Sequence, residues 1–127
     1  MNHAVMFVGR ILIAALFLMA GIGKLTAVAG TTSYFAKLGL PAPQVMVWLT
    51  IAVEIGGAVL LILGWKTRPA AWLLAAFTLV ASFLGHPFWD DASQMDAFLK
   101  NLAIVGGLMF VAAVGPGALS LDGRRRY

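Results

Sequence analysis

The chain has 127 residues, of which 61% are hydrophobic and 11% are charged, and its mean hydropathy is +0.93. Soluble domains are about half apolar and about one-quarter charged, so this composition excludes an ordinary soluble domain and indicates a protein embedded in lipid. The net charge of +4 does not indicate nucleic-acid binding, since most basic residues are scattered, and the absence of cysteine excludes disulfides, thiolate metal sites and iron–sulfur clusters.

Four apolar segments are long enough to cross about 30 Å of hydrocarbon as α-helices. They are predicted near residues 5–23, 44–63, 69–85 and 98–114. The small-residue motif at 27–29 resembles a signal-peptidase site, but no basic residue precedes Arg10, so a retained helix is favoured. The prediction is an all-α integral membrane protein, a single domain over residues 1–127 folded as an antiparallel four-helix bundle.

The connections between the predicted spans differ in length. The first, residues 24–43, contains a polar stretch and is predicted to form a short interfacial helix followed by a turn. The second, residues 64–69, is short enough to make the second and third spans antiparallel neighbours. The third, residues 86–97, has three aspartates that we expect to be solvated.

The distribution of charge predicts the orientation of the bundle in the membrane. Four spans place both termini and the second connection on one side, together with Lys66, Arg68, Arg124, Arg125 and Arg126. On the other side, lysines and aspartates are balanced. The positive-inside rule therefore places both termini in the cytoplasm.

Glu54 lies near the centre of the second predicted span, where a carboxylate costs at least about 2.5 kcal/mol on insertion scales. At about 100° of rotation per residue, Thr50, Gly57 and Leu61 share its face of the helix. Two interpretations are open. Glu54 is either a structural carboxyl group, protonated or paired with a base, or a site for a proton or a ligand.

One face of the first predicted span carries two basic residues, because helical spacing aligns Arg10, Ala14, Phe17, Gly21 and Lys24. About 14 residues, or roughly 21 Å of helical rise, separate the two bases, so they cannot serve one site. Either each base reaches its own membrane interface, or this face packs on Glu54 and one of them neutralises it.

A polar mouth is predicted at the end of the bundle opposite the termini, where similar depth is expected for Lys24, His86, Lys100 and Asn101. Histidine side chains can relay protons near physiological pH, so His86 is a candidate proton carrier. Trp89 is a candidate ligand contact, although tryptophan at this depth usually anchors a protein in the interface. We predict no metal site, since no second histidine or cysteine lies near His86. A bis-histidine haem is not expected either, because His3 and His86 fall on opposite faces of the membrane.

A series of motifs runs along the chain in the order Arg10, Phe17, Gly21-x-x-Lys24, Gly39-Leu40-Pro41, Glu54 with Gly56-Gly57, Gly64, Arg68, His86-x-Phe88-Trp89, Lys100-Asn101 with Gly106-Gly107, and Ser120-Leu121-Asp122. Together they resemble the DoxX family. The resemblance implies a four-helix protein of the bacterial inner membrane. Members are often labelled subunits of a quinol oxidase or a thiosulfate:quinone oxidoreductase. The wider superfamily includes vitamin K-linked and cargo-receptor or chaperone-like membrane proteins.

Three functions follow from these patterns. The first is a small subunit or accessory of a membrane redox complex that binds a quinone or a lipid-like ligand, without a redox centre of its own. Its proton carriers would be Glu54 and His86, and its ligand-binding candidates are Arg10, Lys24, Lys100, Asn101 and Trp89. The second is a non-catalytic assembly factor or chaperone that binds other membrane proteins or a second copy of itself. The third, a small-solute transporter, is disfavoured because inverted repeats and broken helices are not recognisable.

Overall fold

This computed structural model describes residues 2–124, and every regular element within that range is helical. The elements are α1 (His3–Leu25), α2 (Val28–Lys37), α3 (Pro43–Leu63), α4 (Thr67–Gly85), a 3₁₀ turn (Ala92–Gln94), α5 (Met95–Val114) and α6 (Leu121–Arg124). Four of these helical segments are long and apolar enough to span a membrane, and α2 is the short helix predicted between the first two spans. The all-α prediction is confirmed. Arg125 and Arg126 lie outside the described residues.

The spanning helices begin slightly earlier than the hydropathy pattern predicts, and side chains cap the first amides of α1 and α4. The side-chain oxygen of Asn2 accepts a 3.1 Å hydrogen bond from the amide of Val5, so α1 already begins at His3. The α4 helix begins at Thr67 rather than at Pro69. Its first amides are capped by Asp122, which comes from the far end of the chain.

Small residues allow the helices to approach one another closely. The main contacts join α1 to α3 and α4 to α5, and α3 also packs on α4. The core between them consists of Ala14, Phe17, Ala58, Leu61, Ala70, Ala71, Leu74, Ala75, Leu108 and Ala112. Because lipid tails are as apolar as these side chains, close van der Waals packing is what favours this arrangement inside a membrane. At Gly57, for example, an added Cβ would lie 2.7 Å from a methyl carbon of Leu74.

The C-terminal segment, residues 115–124, folds back across one end of the bundle, and we name it the C-terminal clasp. The buried guanidinium of Arg10 holds it there. Its Nη1 donates a 2.6 Å hydrogen bond to the carbonyl oxygen of Pro116, and its Nη2 donates one of 2.7 Å to that of Leu119. The turn between them uses Gly117 at a φ of 84°, a backbone conformation that favours glycine.

Candidate functional site

The two ends of the bundle are built differently. At one end α1 begins, α3 ends and α4 begins, and the C-terminal clasp closes this end through hydrogen bonds to Arg10 and to the start of α4. At the other end α1 ends, α3 begins and α4 ends, and the short helix α2 lies there. The second end holds a cavity.

The cavity has a volume of about 520 Å³ and lies between α2, α3 and α4, with the end of α1 at its edge. It is lined by Lys24, Tyr34, Phe35, Leu38, Leu40, Met46, Leu49, Thr50, Val53, Glu54, Phe77, Val80, Ala81, Leu84, Gly85 and His86. Most of this surface is apolar, and a few polar side chains enter it. This size and mixture are typical of sites that hold a small molecule.

Lys24 and Glu54 form an ion pair in this cavity, with 2.9 Å between the lysine Nζ and the glutamate Oε1. The glutamate side chain is only 6% exposed, whereas the lysine side chain is 27% exposed. A carboxylate at this depth needs a compensating charge, and Lys24 supplies it. Of the two bases that share a face of α1, Lys24 is the one that pairs with Glu54. Arg10 binds the C-terminal clasp instead.

The ion pair depends on a close contact between α1 and α3 at Gly21. A Cβ atom placed on Gly21 would lie 2.5 Å from Cγ1 of Ile55 and 3.3 Å from Cβ of Glu54. Because glycine has no side chain, α1 can approach α3 at this level. Lys24, nearly one turn further along α1, is thereby brought onto the carboxylate.

The Glu54 carboxylate retains capacity to accept a hydrogen bond. Although Oε1 is in ionic contact with Lys24, no well-aligned hydrogen bond reaches this buried atom from residues 2–124. Thr50, one turn before Glu54 on α3, lines the same cavity. The two residues share a helix face, as the sequence predicted, and this face borders the cavity.

Where α4 ends, the side of the cavity is formed by Tyr34, Gly85 and His86, which we name the cavity mouth. The Tyr34 hydroxyl lies close to Gly85, since a Cβ atom placed on Gly85 would be 3.3 Å from the hydroxyl oxygen. The Nδ1 of His86 lies 2.8 Å from Oε1 of Gln94. Because an amide oxygen only accepts hydrogen bonds, Nδ1 of His86 is the donor in this contact.

The turn that carries Gln94 is stabilised by Asp91. Oδ1 of Asp91 accepts hydrogen bonds from the hydroxyl of Ser93 at 2.7 Å and from its amide at 3.0 Å. These two bonds hold the pKa of the exposed Asp91 carboxyl below its ordinary value. Asp91 therefore helps to fix the position of Gln94 beside His86.

The structure separates the other predicted ligand contacts from the cavity. Arg10 is buried at the opposite end, where its two terminal nitrogens bind carbonyl oxygens of the C-terminal clasp. Trp89 packs on Phe83, Phe88 and Phe98, with ring centroids 5.8, 5.2 and 6.2 Å away. Two residues of α5, Lys100 and Asn101, do not line the cavity.

Of the predicted site residues, three line the cavity: Lys24, Glu54 and His86. Sequence reasoning did not identify Tyr34 or Gln94 as site residues. Tyr34 belongs to a short helix whose position over the bundle has no signature in the sequence. Gln94 lies among three aspartates in a connection that the sequence predicts to be solvated, and only its contact with His86 distinguishes it.

A family model described as DoxX matches residues 5–87. The chain belongs to the DoxX family. Inner membrane protein YphA of Escherichia coli (strain K12) is 37% identical over 124 residues, which cover 94% of this chain and 89% of that protein. Inner membrane protein YqjF of the same organism is 42% identical over 115 residues, covering 91% and 87%.

More distant similarity reaches eukaryotic proteins. A Surfeit locus protein 4 homolog of Drosophila melanogaster is 28% identical over 92 residues, which cover 65% of this DoxX chain and 34% of that protein. No solved structure gives a significant match. With two bacterial inner-membrane relatives and four apolar spanning helices, this DoxX protein is a multi-pass protein of the bacterial inner membrane. All the residues that line its cavity fall within the region matched by the family model.

Proposed function

We propose that this DoxX protein is a small subunit or accessory of an inner-membrane redox complex, and that its cavity binds a quinone or a similar lipid-like ligand. The observation that supports this most is the cavity of about 520 Å³, whose apolar walls surround a largely buried Lys24–Glu54 ion pair. Such a site suits a molecule with an apolar body and a polar head. Since the chain has no cysteine to bind an iron–sulfur cluster, a partner subunit would provide the electron-transfer group.

Each polar residue of the cavity has a role in this proposal. Glu54 accepts a proton or a hydrogen bond from the ligand head, and Lys24 balances its charge and donates to a ligand oxygen. His86, at the cavity mouth, exchanges protons with the solvent. Gln94 orients its ring through the 2.8 Å contact at Nδ1.

The orientation of the bundle is part of the proposal, with both termini in the cytoplasm. Lys66, Arg68 and Arg124 lie at the end that carries the C-terminal clasp, where Asp122 is the acidic residue of the clasp. The opposite end has both lysines and aspartates. By the positive-inside rule, the cavity then lies toward the periplasmic leaflet.

Quinone binding by the purified protein tests the proposal. The protein would be reconstituted in quinone-free nanodiscs, and a short-chain quinone and its reduced form would each be titrated by calorimetry. We expect Glu54→Gln and His86→Gln to weaken binding of at least one of them, by about tenfold for the buried glutamate. The matched controls Asp96→Asn and Lys100→Met alter exposed charges outside the cavity and should bind like the unaltered protein.

The same variants would be assayed for quinone-linked electron transfer in native membranes. If Glu54→Gln and His86→Gln changed neither binding nor electron transfer, the proposed function would be wrong. A loss of binding without any loss of electron transfer would separate ligand binding from a redox role.

An assembly factor is the second candidate, and the outward glycines support it. A Cβ on Gly57 or Gly107 would contact a neighbouring helix, but a Cβ on Gly56 or Gly106 would meet nothing within 4 Å. Small residues that face outward allow close approach by another membrane helix. Photo-crosslinkers placed beside Gly106 in native membranes would trap such a partner or a second copy. Crosslinks to lipid alone would contradict this candidate.

A further inference from the structure

The charges inside the cavity cancel one another. Among its lining residues, Lys24 supplies an ammonium group and Glu54 a carboxylate, and the atoms that carry their charges are 2.9 Å apart. The ring of His86, at the cavity mouth, is engaged by Gln94 through Nδ1. A ligand head that enters this cavity therefore meets a balanced pair of charges instead of a positive or a negative site.

This balance disfavours the commonest membrane molecules, the phospholipids. A phosphate drawn to the ammonium group of Lys24 would be forced close to the Glu54 carboxylate, and like charges repel strongly where water is largely excluded. A cationic head would meet the same difficulty with Lys24. An uncharged head avoids both penalties.

The ion pair also specifies the hydrogen bonds that the head must make. A carboxylate only accepts hydrogen bonds, whereas an ammonium group only donates them. A head that satisfies both must offer a hydroxyl to Glu54 and, within a few ångströms, an oxygen that accepts from Lys24. The aromatic residues Tyr34, Phe35 and Phe77 line the same cavity and favour a flat ring.

We propose that the cavity selects an uncharged lipid with a hydroxylated ring, which donates to Glu54 and accepts from Lys24. Among quinone-type molecules this is the reduced hydroquinone. The inference rests on the proposed function, because it specifies the redox form and the charge of the ligand at that site. The oxidised ring has no hydroxyl. Its carbonyl oxygens accept from Lys24 but offer no donor to the Glu54 carboxylate, which then has only its contact with Lys24.

Ligand titration into nanodiscs of zwitterionic phosphatidylcholine would test this inference. The probes are a decyl-substituted benzohydroquinone, kept reduced with dithionite, and the corresponding benzoquinone. The unaltered protein should bind the reduced probe about tenfold more tightly than the oxidised probe, because a hydrogen bond to a charged acceptor is stronger than one between neutral groups. Adding phosphatidylglycerol to the nanodiscs should not weaken that binding.

Two variants identify the ion pair as the cause. Glu54→Gln retains the size of the side chain but leaves the Lys24 charge without a counter-charge. The preference for the reduced probe should then disappear, and phosphatidylglycerol should begin to compete. In the double variant Lys24→Met with Glu54→Gln, neither charge remains. It should lose the redox preference without gaining affinity for phosphatidylglycerol. Asp96→Asn, which removes an exposed charge outside the cavity, is the matched control.

The outcomes separate this inference from the proposed function. Equal affinity for the two probes, or a preference for the oxidised probe, would overturn the inference and leave quinone binding intact. Competition by phosphatidylglycerol in the unaltered protein would also overturn it. If neither probe bound, both the inference and the quinone ligand of the proposed function would be lost. The measurements on the unaltered protein do not depend on whether the variants fold.

Discussion

The carboxylate of Asp122 caps the first turn of α4, although Thr67, whose amide donates to it at 2.9 Å, lies 55 residues earlier in the chain. Its other carboxylate oxygen accepts a 3.0 Å hydrogen bond from the amide of Lys66. The amide of Asp122 in turn donates to the carbonyl oxygen of Gly64 at 2.9 Å. The C-terminal clasp and the turn between α3 and α4 therefore form one hydrogen-bonded unit.

Replacing Asp122 with alanine should destabilise the protein by about 1 kcal/mol, because α4 would lose the acceptor for its first amides. The change would be measured as a lower midpoint of thermal unfolding in detergent. Asp90→Ala, at an exposed position in the third connection, removes the same charge and should leave the midpoint nearly unchanged. An equal loss in both variants would contradict the capping role of Asp122.

Replacing Arg10 with methionine should destabilise the protein by about 2 kcal/mol or more, because two carbonyl oxygens of the C-terminal clasp would lose a charged donor. Arg10→Lys should have a smaller effect, since one ammonium group cannot match the spacing of both guanidinium nitrogens. Unfolding in mixed detergent and sodium dodecyl sulfate micelles would give the free energies. Lys37→Met, at an exposed position, is the control.

The same Arg10 variants also test the separation of the two ends of the bundle. Because Arg10 does not line the cavity, those variant molecules that remain folded should bind ligand with unchanged affinity. A large loss of affinity in folded Arg10→Lys protein would show that the C-terminal clasp and the cavity are coupled.

Gly21→Ala and Gly23→Ala should have opposite consequences. At Gly21 the new methyl group would collide with Ile55 and separate α1 from α3, at a cost of about 1–3 kcal/mol and with loss of ligand affinity. At Gly23 nothing lies within 4 Å, so alanine should be neutral or slightly stabilising. Unfolding and ligand titration of the two variants would be compared directly. Similar behaviour in both assays would show that the Gly21 contact is not needed.

Single cysteines can establish the orientation in the membrane, since the chain has none of its own. Ala4→Cys and Ala92→Cys lie at exposed positions on opposite ends of the bundle and do not change the charge. A membrane-impermeant maleimide should label Ala92→Cys in spheroplasts, and Ala4→Cys only after lysis. The reverse pattern would place the cavity toward the cytoplasm.

Several features of the site were predictable from the chain, because helix periodicity decides which residues share a face. The predicted face of α1 is the buried one, with Arg10, Ala14, Phe17 and Gly21 all buried. Periodicity does not give the axial offset between two helices. From periodicity alone, either base on that face could be the partner of Glu54. The close approach of Gly21 to Ile55 sets the axial offset that brings Lys24 to the carboxylate.

The sequence by itself determined that this protein has four membrane-spanning helices and a short helix after the first, because hydrocarbon thickness sets the length of each apolar segment. Only the tertiary structure decided that Lys24 neutralises Glu54, that Arg10 and Asp122 hold the C-terminal clasp, and that α2 borders a cavity. These features join residues far apart in the chain. They depend on how the helices are offset and packed, which no single segment encodes.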